Sequence, residues 1–252
     1  MRNERHRLTV AGVDIHVEAP KPVMHCLSRM LERVEPGGKS PSATQFVVDA
    51  GHHHQSALAA ADALIAEVAQ YVAAQLDTSV LQGAVVSQGD VTLALVGAPA
   101  SAALLAAHLT ARGWSLLAPR YAFLNFSSLT VLPFPTLMQV QATAMDRYPK
   151  AYRRAFEMSA WCSDGETLNF YAVDPAKAKP SFSWAQESRL SGLVLLDDEG
   201  DSAGTLTELE PHESDPIFGA PSSEMPLRRA RLTFGPMVFT TTALVRWAER
   251  GS

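Results

Sequence analysis

Residues 91 to 112 read VTLALVGAPASAALLAAHLTAR, and this stretch constrains the fold more than any other. VTLALV is a continuous apolar run, which suits a central strand covered on both faces. GAP breaks the run, and a helix is expected from Ser101 to Arg112, with Ser101 as its N-cap and Gly113 as its C-terminal cap. A strand, a tight turn and a helix in direct succession form the frame of a phosphate-binding loop. Such a loop reads G-x-x-x-x-G-K-[ST]: backbone N–H groups surround the phosphates, the lysine reaches them and the hydroxyl holds magnesium. Here Gly97 matches the first glycine. Ala102 stands at the second glycine, Ala103 at the lysine and Leu104 at the hydroxyl, while Pro99 removes one N–H from the cradle.

The rest of the chain reads as an ordinary α/β protein. Its 252 residues, 47% hydrophobic and 19% charged, are enough for one large domain or a medium one with a small companion. A net charge of -5 gives no reason to expect a nucleic-acid partner. The start, MRNERHR, is charged with no apolar signal core after it. No run of 18 apolar residues is found; Val91 to Leu109 reads as the richest stretch, and Gly97, Pro99, Ser101 and His108 break it. A cytoplasmic protein with no membrane partner is expected. Cys26 and Cys162 lie far apart without a CxxC partner, so no zinc or redox motif is predicted.

Alternating apolar residues over 7 to 19 predict two short strands about an AG turn. A helix is expected over 25 to 34, a strand over 46 to 50, and a long helix over 57 to 76 with Leu58, Ala61, Ile65, Val68, Val72 and Leu76 as its buried stripe. Ser56 reads as a cap for that helix. A strand is expected over 80 to 87, a hairpin at Gly89 and Asp90, another strand from 114 to 125, and one over 128 to 140 broken by prolines. A basic helix is predicted within 146 to 160, after Pro149, and a buried strand over 190 to 198. The tail is expected to mix helix and strand.

The succession LQGAVVSQGDVTLALVGAPASAALLAAHLTARGWSLLAPRYAFLN, residues 81 to 125, resembles the core of the HPr kinase/phosphorylase-like family. LTVLPFPTLMQV resembles that family's proline-rich segment, and LSGLVLLDDEGDSAGTLTELEP its later strand and turn. The resemblance implies an α/β fold: a P-loop-like core of the HPr kinase C-terminal type with a mixed sheet over 79–252, and a small N-terminal α/β region over 1–78. It also implies that the family's histidine falls on Gln82 and its paired aspartates on Pro119 and Arg120. The cation for the phosphates, the metal ligands and the base are thus all replaced. Phosphoryl transfer rests on positioning and charge stabilisation. The expectation is therefore a catalytically inactive relative, a pseudokinase, with no cofactor and no metal. It would act as a protein-binding scaffold, accessory subunit or regulator, with another protein, a peptide or an active relative as partner, in a homo- or hetero-oligomer. The alternative is an atypical kinase or phosphorylase of a protein or peptide. There ATP and magnesium would be held by a rearranged site in which Arg120 replaces the lysine and Asp197 or Asp198 supplies metal ligands.

Other groups carry weaker signals. His52, His53 and His54 suit a metal chemically, but adjacent residues of an extended segment point to opposite sides, so an exposed turn is expected. Asp197, Asp198, Glu199 and Asp201 read as a solvated acidic turn without full calcium-loop spacing. His108 reads as a packing residue. Arg147, Lys150, Arg153 and Arg154 are a candidate docking surface for an acidic partner, with Tyr148, Tyr152 and Phe156 buried behind them; RRAR, 228 to 231, is a weaker candidate of the same kind.

Overall fold

The N-terminal alternation folds as predicted, into a hairpin of β1 (Asn3–Val10) and β2 (Val13–Pro20). In the computed structural model, which describes residues 3–30, 35–36, 44–48, 57–134, 136, 138–153, 161–163, 169–173, 187–197, 204–209 and 227–250, Val10 pairs with Val13. Ala11 and Gly12 both have positive φ, as a two-residue hairpin loop of this hand requires. Leu8, Val10, Ile15 and Val17 face inward. Arg5, Arg7, Asp14 and Glu18 form ion pairs on the other face. β3 (Glu35–Pro36) and β4 (Thr44–Val47) complete a sheet of order β3-β1-β2-β4. α1 (Lys21–Met30) leads from it; residues 31–34 of the expected helix, and Ser56, lie outside the described residues.

α2 (Ala57–Gln75) buries Leu58, Ala61, Ile65, Val68 and Val72 as expected. It also buries Leu64, Ala69 and Ala73, because it packs against both α1 and β5 (Ser79–Gln82). At 19 residues and a mean hydropathy of 1.4, α2 is the one helix among the described residues long and apolar enough to cross a membrane. Residues 91 to 109 are divided between a strand, Val91–Val96, and a helix, Pro99–Thr110, and so form no single helix of that length. α2's apolar face is instead part of a hydrophobic cluster that also holds Tyr121, Phe123 and Phe134. The N-terminal elements therefore share a core with strands beyond residue 78.

The six-stranded sheet has the order β16-β17-β15-β7-β6-β8. It is built from β6 (Ala84–Gln88), β7 (Val91–Val96), β8 (Ser115–Ala118), β15 (Gly192–Asp197), β16 (Leu206–Glu208) and β17 (Arg228–Thr233). β7, β15 and β17 are mutually parallel and the other pairings antiparallel, which makes a mixed α/β sheet. α3 (Pro99–Thr110) follows β7, and α4 (Met237–Glu249) follows β17. Both helices share one hydrophobic cluster with this sheet, containing Leu93, Leu95, Leu105, Val194, Leu232 and Trp247. Each fully buried Leu there contributes about 1.5–3 kcal/mol. A second sheet runs β14-β10-β9-β5, with β9 (Tyr121–Asn125), β10 (Thr130–Pro133) and β14 (Ser188–Arg189). A third, of order β11-β13-β12, holds β11 (Met138–Gln141), β12 (Trp161–Ser163) and β13 (Asn169–Val173).

Two expected strands are each divided, at matching places. Residues 80 to 87 break at Gly83, and 114 to 125 break at Pro119 and Arg120. β5 pairs with β9 in one sheet and β6 with β8 in the other, so the two chains turn the corner together. The Gly83 N–H donates to the Arg120 carbonyl at 2.8 Å across the bend. A Cβ on Gly83 would lie 2.4 Å from the Leu95 carbonyl oxygen, so only glycine fits. The basic helix expected after Pro149 is present as far as the described residues reach. A 3-10 turn spans Ala142–Arg147, and residues 150 to 153 are helical; 154 to 160 lie outside the described residues.

Candidate functional site

The corner between the two sheets lies against the turn after β7. Gln82, Gly83, Gly97, Pro99, Ala102, Pro119 and Arg120 line one cleft. The fold thus brings together Gln82, Gly97, Pro99, Ala102, Pro119 and Arg120, positions from three segments spread over residues 82 to 120. The cleft leaves no room for a water molecule.

Each side chain has a local reason for its place. Gly97 has φ +155, and a Cβ there would sit 2.8 Å from both the Cβ and the carbonyl oxygen of Leu196 on β15. The glycine that a phosphate loop would need is therefore required here by strand packing. Ala98, not Ser101, is the N-cap of α3, and it makes no side-chain cap. The helix starts two residues earlier than expected because Pro99 takes its first position, where a missing N–H costs nothing and the fixed φ suits the helix. Ser101 becomes the third helical residue. Its N–H and that of Ala102 both donate to the Ala98 carbonyl at 3.0 Å. Among the first four helical residues, one N–H is missing and two are taken.

Ala102, Ala103 and Leu104 are 1%, 4% and 3% exposed and belong to the main hydrophobic cluster. The lysine and hydroxyl positions thus face packed core. α3 is buried nearly all round, between the sheet on one side and β11 and α4 on the other.

Arg120 lines the cleft and bonds both carboxylate oxygens of Asp62 on α2; Nη2 to Oδ2 is 2.6 Å. Its guanidinium lies 4.9 Å from the centre of the Tyr121 ring. Burial disfavours the charged guanidinium, but the hydrogen bonds and charge of Asp62 outweigh it, and the pKa of Arg120 rises. Burial also pushes the Tyr121 hydroxyl up. Asp62 is the residue that sequence reading missed. It and Glu67 are the only charged residues in α2, and that isolation was the available signal; its partner lies 58 residues away.

The remaining candidates scatter. His108 donates through Nε2 to the Arg147 carbonyl at 2.7 Å, and burial lowers its pKa, in keeping with a packing role. Arg147 and Lys150 are exposed. Arg153 donates to the Tyr148 carbonyl at 3.0 Å and lies 3.8 Å from Asp146. Tyr148 and Tyr152 are buried behind them, as expected; Arg154 and Phe156 lie outside the described residues. RRAR is part of β17, not one surface. Arg228 pairs with Glu208 and lies over the Trp247 ring, Arg229 is buried, and Arg231 is exposed. Cys26 is buried. Asp197 ends β15, and its carbonyl accepts from the Phe234 N–H. His52, His53, His54, Asp198, Glu199 and Asp201 lie outside the described residues. Among the described residues, no three His, Cys, Asp or Glu side chains group as a metal site.

The site is thus a filled corner between two sheets, in which the lining Arg120 is held by the Asp62 carboxylate from α2. No family model matches the chain, and no curated protein matches it.

Proposed function

We propose that the chain is a catalytically inactive relative of the HPr kinase/phosphorylase-like family, working as a protein-binding scaffold, accessory subunit or regulator. The observation that carries this reading is the closed cleft: Gly97, Pro99 and Ala102 of the loop meet Gln82, Pro119 and Arg120 there without room for water, and Ala103 and Leu104 are packed core. Phosphoryl transfer needs preorganised charge around the phosphates. The one cation at this cleft among its lining residues, Arg120, is committed to Asp62.

Calorimetric titration of the protein with ATP and magnesium, beside inorganic phosphate, tests this. The expected result is no saturable heat and no thermal stabilisation at millimolar nucleotide. Saturable, magnesium-dependent binding in the micromolar range would overturn it and favour an atypical kinase with Arg120 as the phosphate clamp. Loss of that binding in Arg120→Ala would then be the confirming step.

A further inference from the structure

The end of the sheet opposite the cleft carries a surface of different character. α3 and α4 each follow a parallel strand directly and pack on the same face, so both run back towards the end where β7, β15 and β17 begin. The Arg228 to Trp247 carbonyl bond, at 2.9 Å, fixes the last turn of α4 at the start of β17. At this end, α3 finishes with His108 and, four residues on, the exposed Arg112. The His108 bond to the Arg147 carbonyl draws the 142–153 segment alongside, with Arg147 and Lys150 exposed and the Arg153 side chain 42% exposed.

We propose that Arg112, Arg147, Lys150 and Arg153 form the docking surface for an acidic peptide segment of a partner protein. The argument is charge complementarity. Four cations from two elements converge here on a chain whose net charge is -5. The described carboxylates at this end are Asp146, which is fully exposed 3.8 Å from Arg153, Asp90 in the hairpin that leads into β7, Glu187 ahead of β14, Glu208, which pairs with Arg228, and Glu249 in the last turn of α4. A local positive field on a negative molecule steers and orients an anionic partner. His108 adds no charge near neutrality, because burial and the two nearby arginines lower its pKa. The proposal rests on the protein-binding reading above and names the partner's chemistry and its place, away from the cleft.

Fluorescence anisotropy with a fluorescein-labelled peptide of alternating Glu and Ser tests it. The expected result is saturable binding that weakens as salt rises. Arg112→Glu combined with Arg147→Glu weakens it about tenfold, while Lys21→Glu, an exposed charge on α1, leaves it unchanged. Both variants melt as the parent does, since these side chains are exposed and the His108 partner is a backbone carbonyl. Absence of saturable binding, or binding indifferent to the double reversal, overturns the proposal. So does tighter binding of oligouridine or of phosphatidylglycerol vesicles through the same arginines. ATP binding with peptide binding intact would instead sink the inactive-relative reading and keep this surface.

Discussion

After β7 the chain turns through Gly97 and Ala98 into Pro99 and α3; after β17 it turns through Phe234 and Gly235 to Pro236 and α4. The two helix starts share one backbone geometry. Ala98 has φ −56 and ψ 129, Pro236 has φ −53 and ψ 128, and neither offers a side-chain cap. The difference lies in the first turn of each helix. Counted from the N-cap, Ala102, Ala103 and Leu104 in α3 correspond to Thr240, Thr241 and Thr242 in α4. The alanines and leucine are packed core. Among the threonines, Thr240 bonds the Gly235 and Pro236 carbonyls, Thr241 the Met237 carbonyl and Thr242 the Val238 carbonyl. α4 also leaves Val238 and Phe239 65% and 60% exposed. The sheet therefore sets the turn, and the neighbours decide its chemistry. Neither turn presents the donor set that a phosphate would need.

The most disruptive way to probe this contrast is to restore the missing cation. Ala103→Lys should lose about 4 kcal/mol in urea denaturation, because the ammonium would enter packed core, and it should gain no ATP binding. A stable, nucleotide-binding variant would mean that the cleft is not closed. Asp62→Asn should lose about 1–2 kcal/mol, a part-buried pair discounted for the exposure of Asp62. In a double-mutant cycle with Arg120→Met, the two losses should fall well short of additive; additivity would show that the pair does not tie α2 to the corner.

The far end of α3 offers a pH test. Burial pushes Tyr152, bonded to Thr110, from 10.0 up to about 12. Above pH 10.0 the unfolded chain releases a proton that the folded chain keeps, so stability should fall as pH rises towards about 12. A flat urea midpoint across that interval would place the hydroxyl in water. The smallest effect belongs to α4: Phe239→Ser should shift stability by no more than about 0.5 kcal/mol, as for other exposed sites.

Where order along the chain decides structure, the sequence was readable. The AG turn with its alternating flanks gave β1 and β2, the apolar stripe of α2 marked its buried face, and VTLALV was an interior strand of the six-stranded sheet. What escaped was what depends on a second chain segment. Gly83 and Pro119 divide their strands because two sheets meet there, and a linear pattern of apolar residues is the same on both sides of such a corner. Ser101 looked like a cap because a hydroxyl ahead of an apolar run usually is one; Pro99 starts the helix first. The isolation of Asp62 in an apolar helix marks the carboxylate, but its pairing with Arg120 crosses 58 residues and no local pattern names that partner.

Hydrogen exchange across residues 97 to 105, read with and without millimolar ATP and magnesium, addresses the closed cleft most directly. The account predicts slow exchange from Ala102 to Leu105, since those residues are buried, and no change when nucleotide is added. Rapid exchange there, or protection that appears only with nucleotide, would show that the corner opens to hold phosphate and would contradict the account.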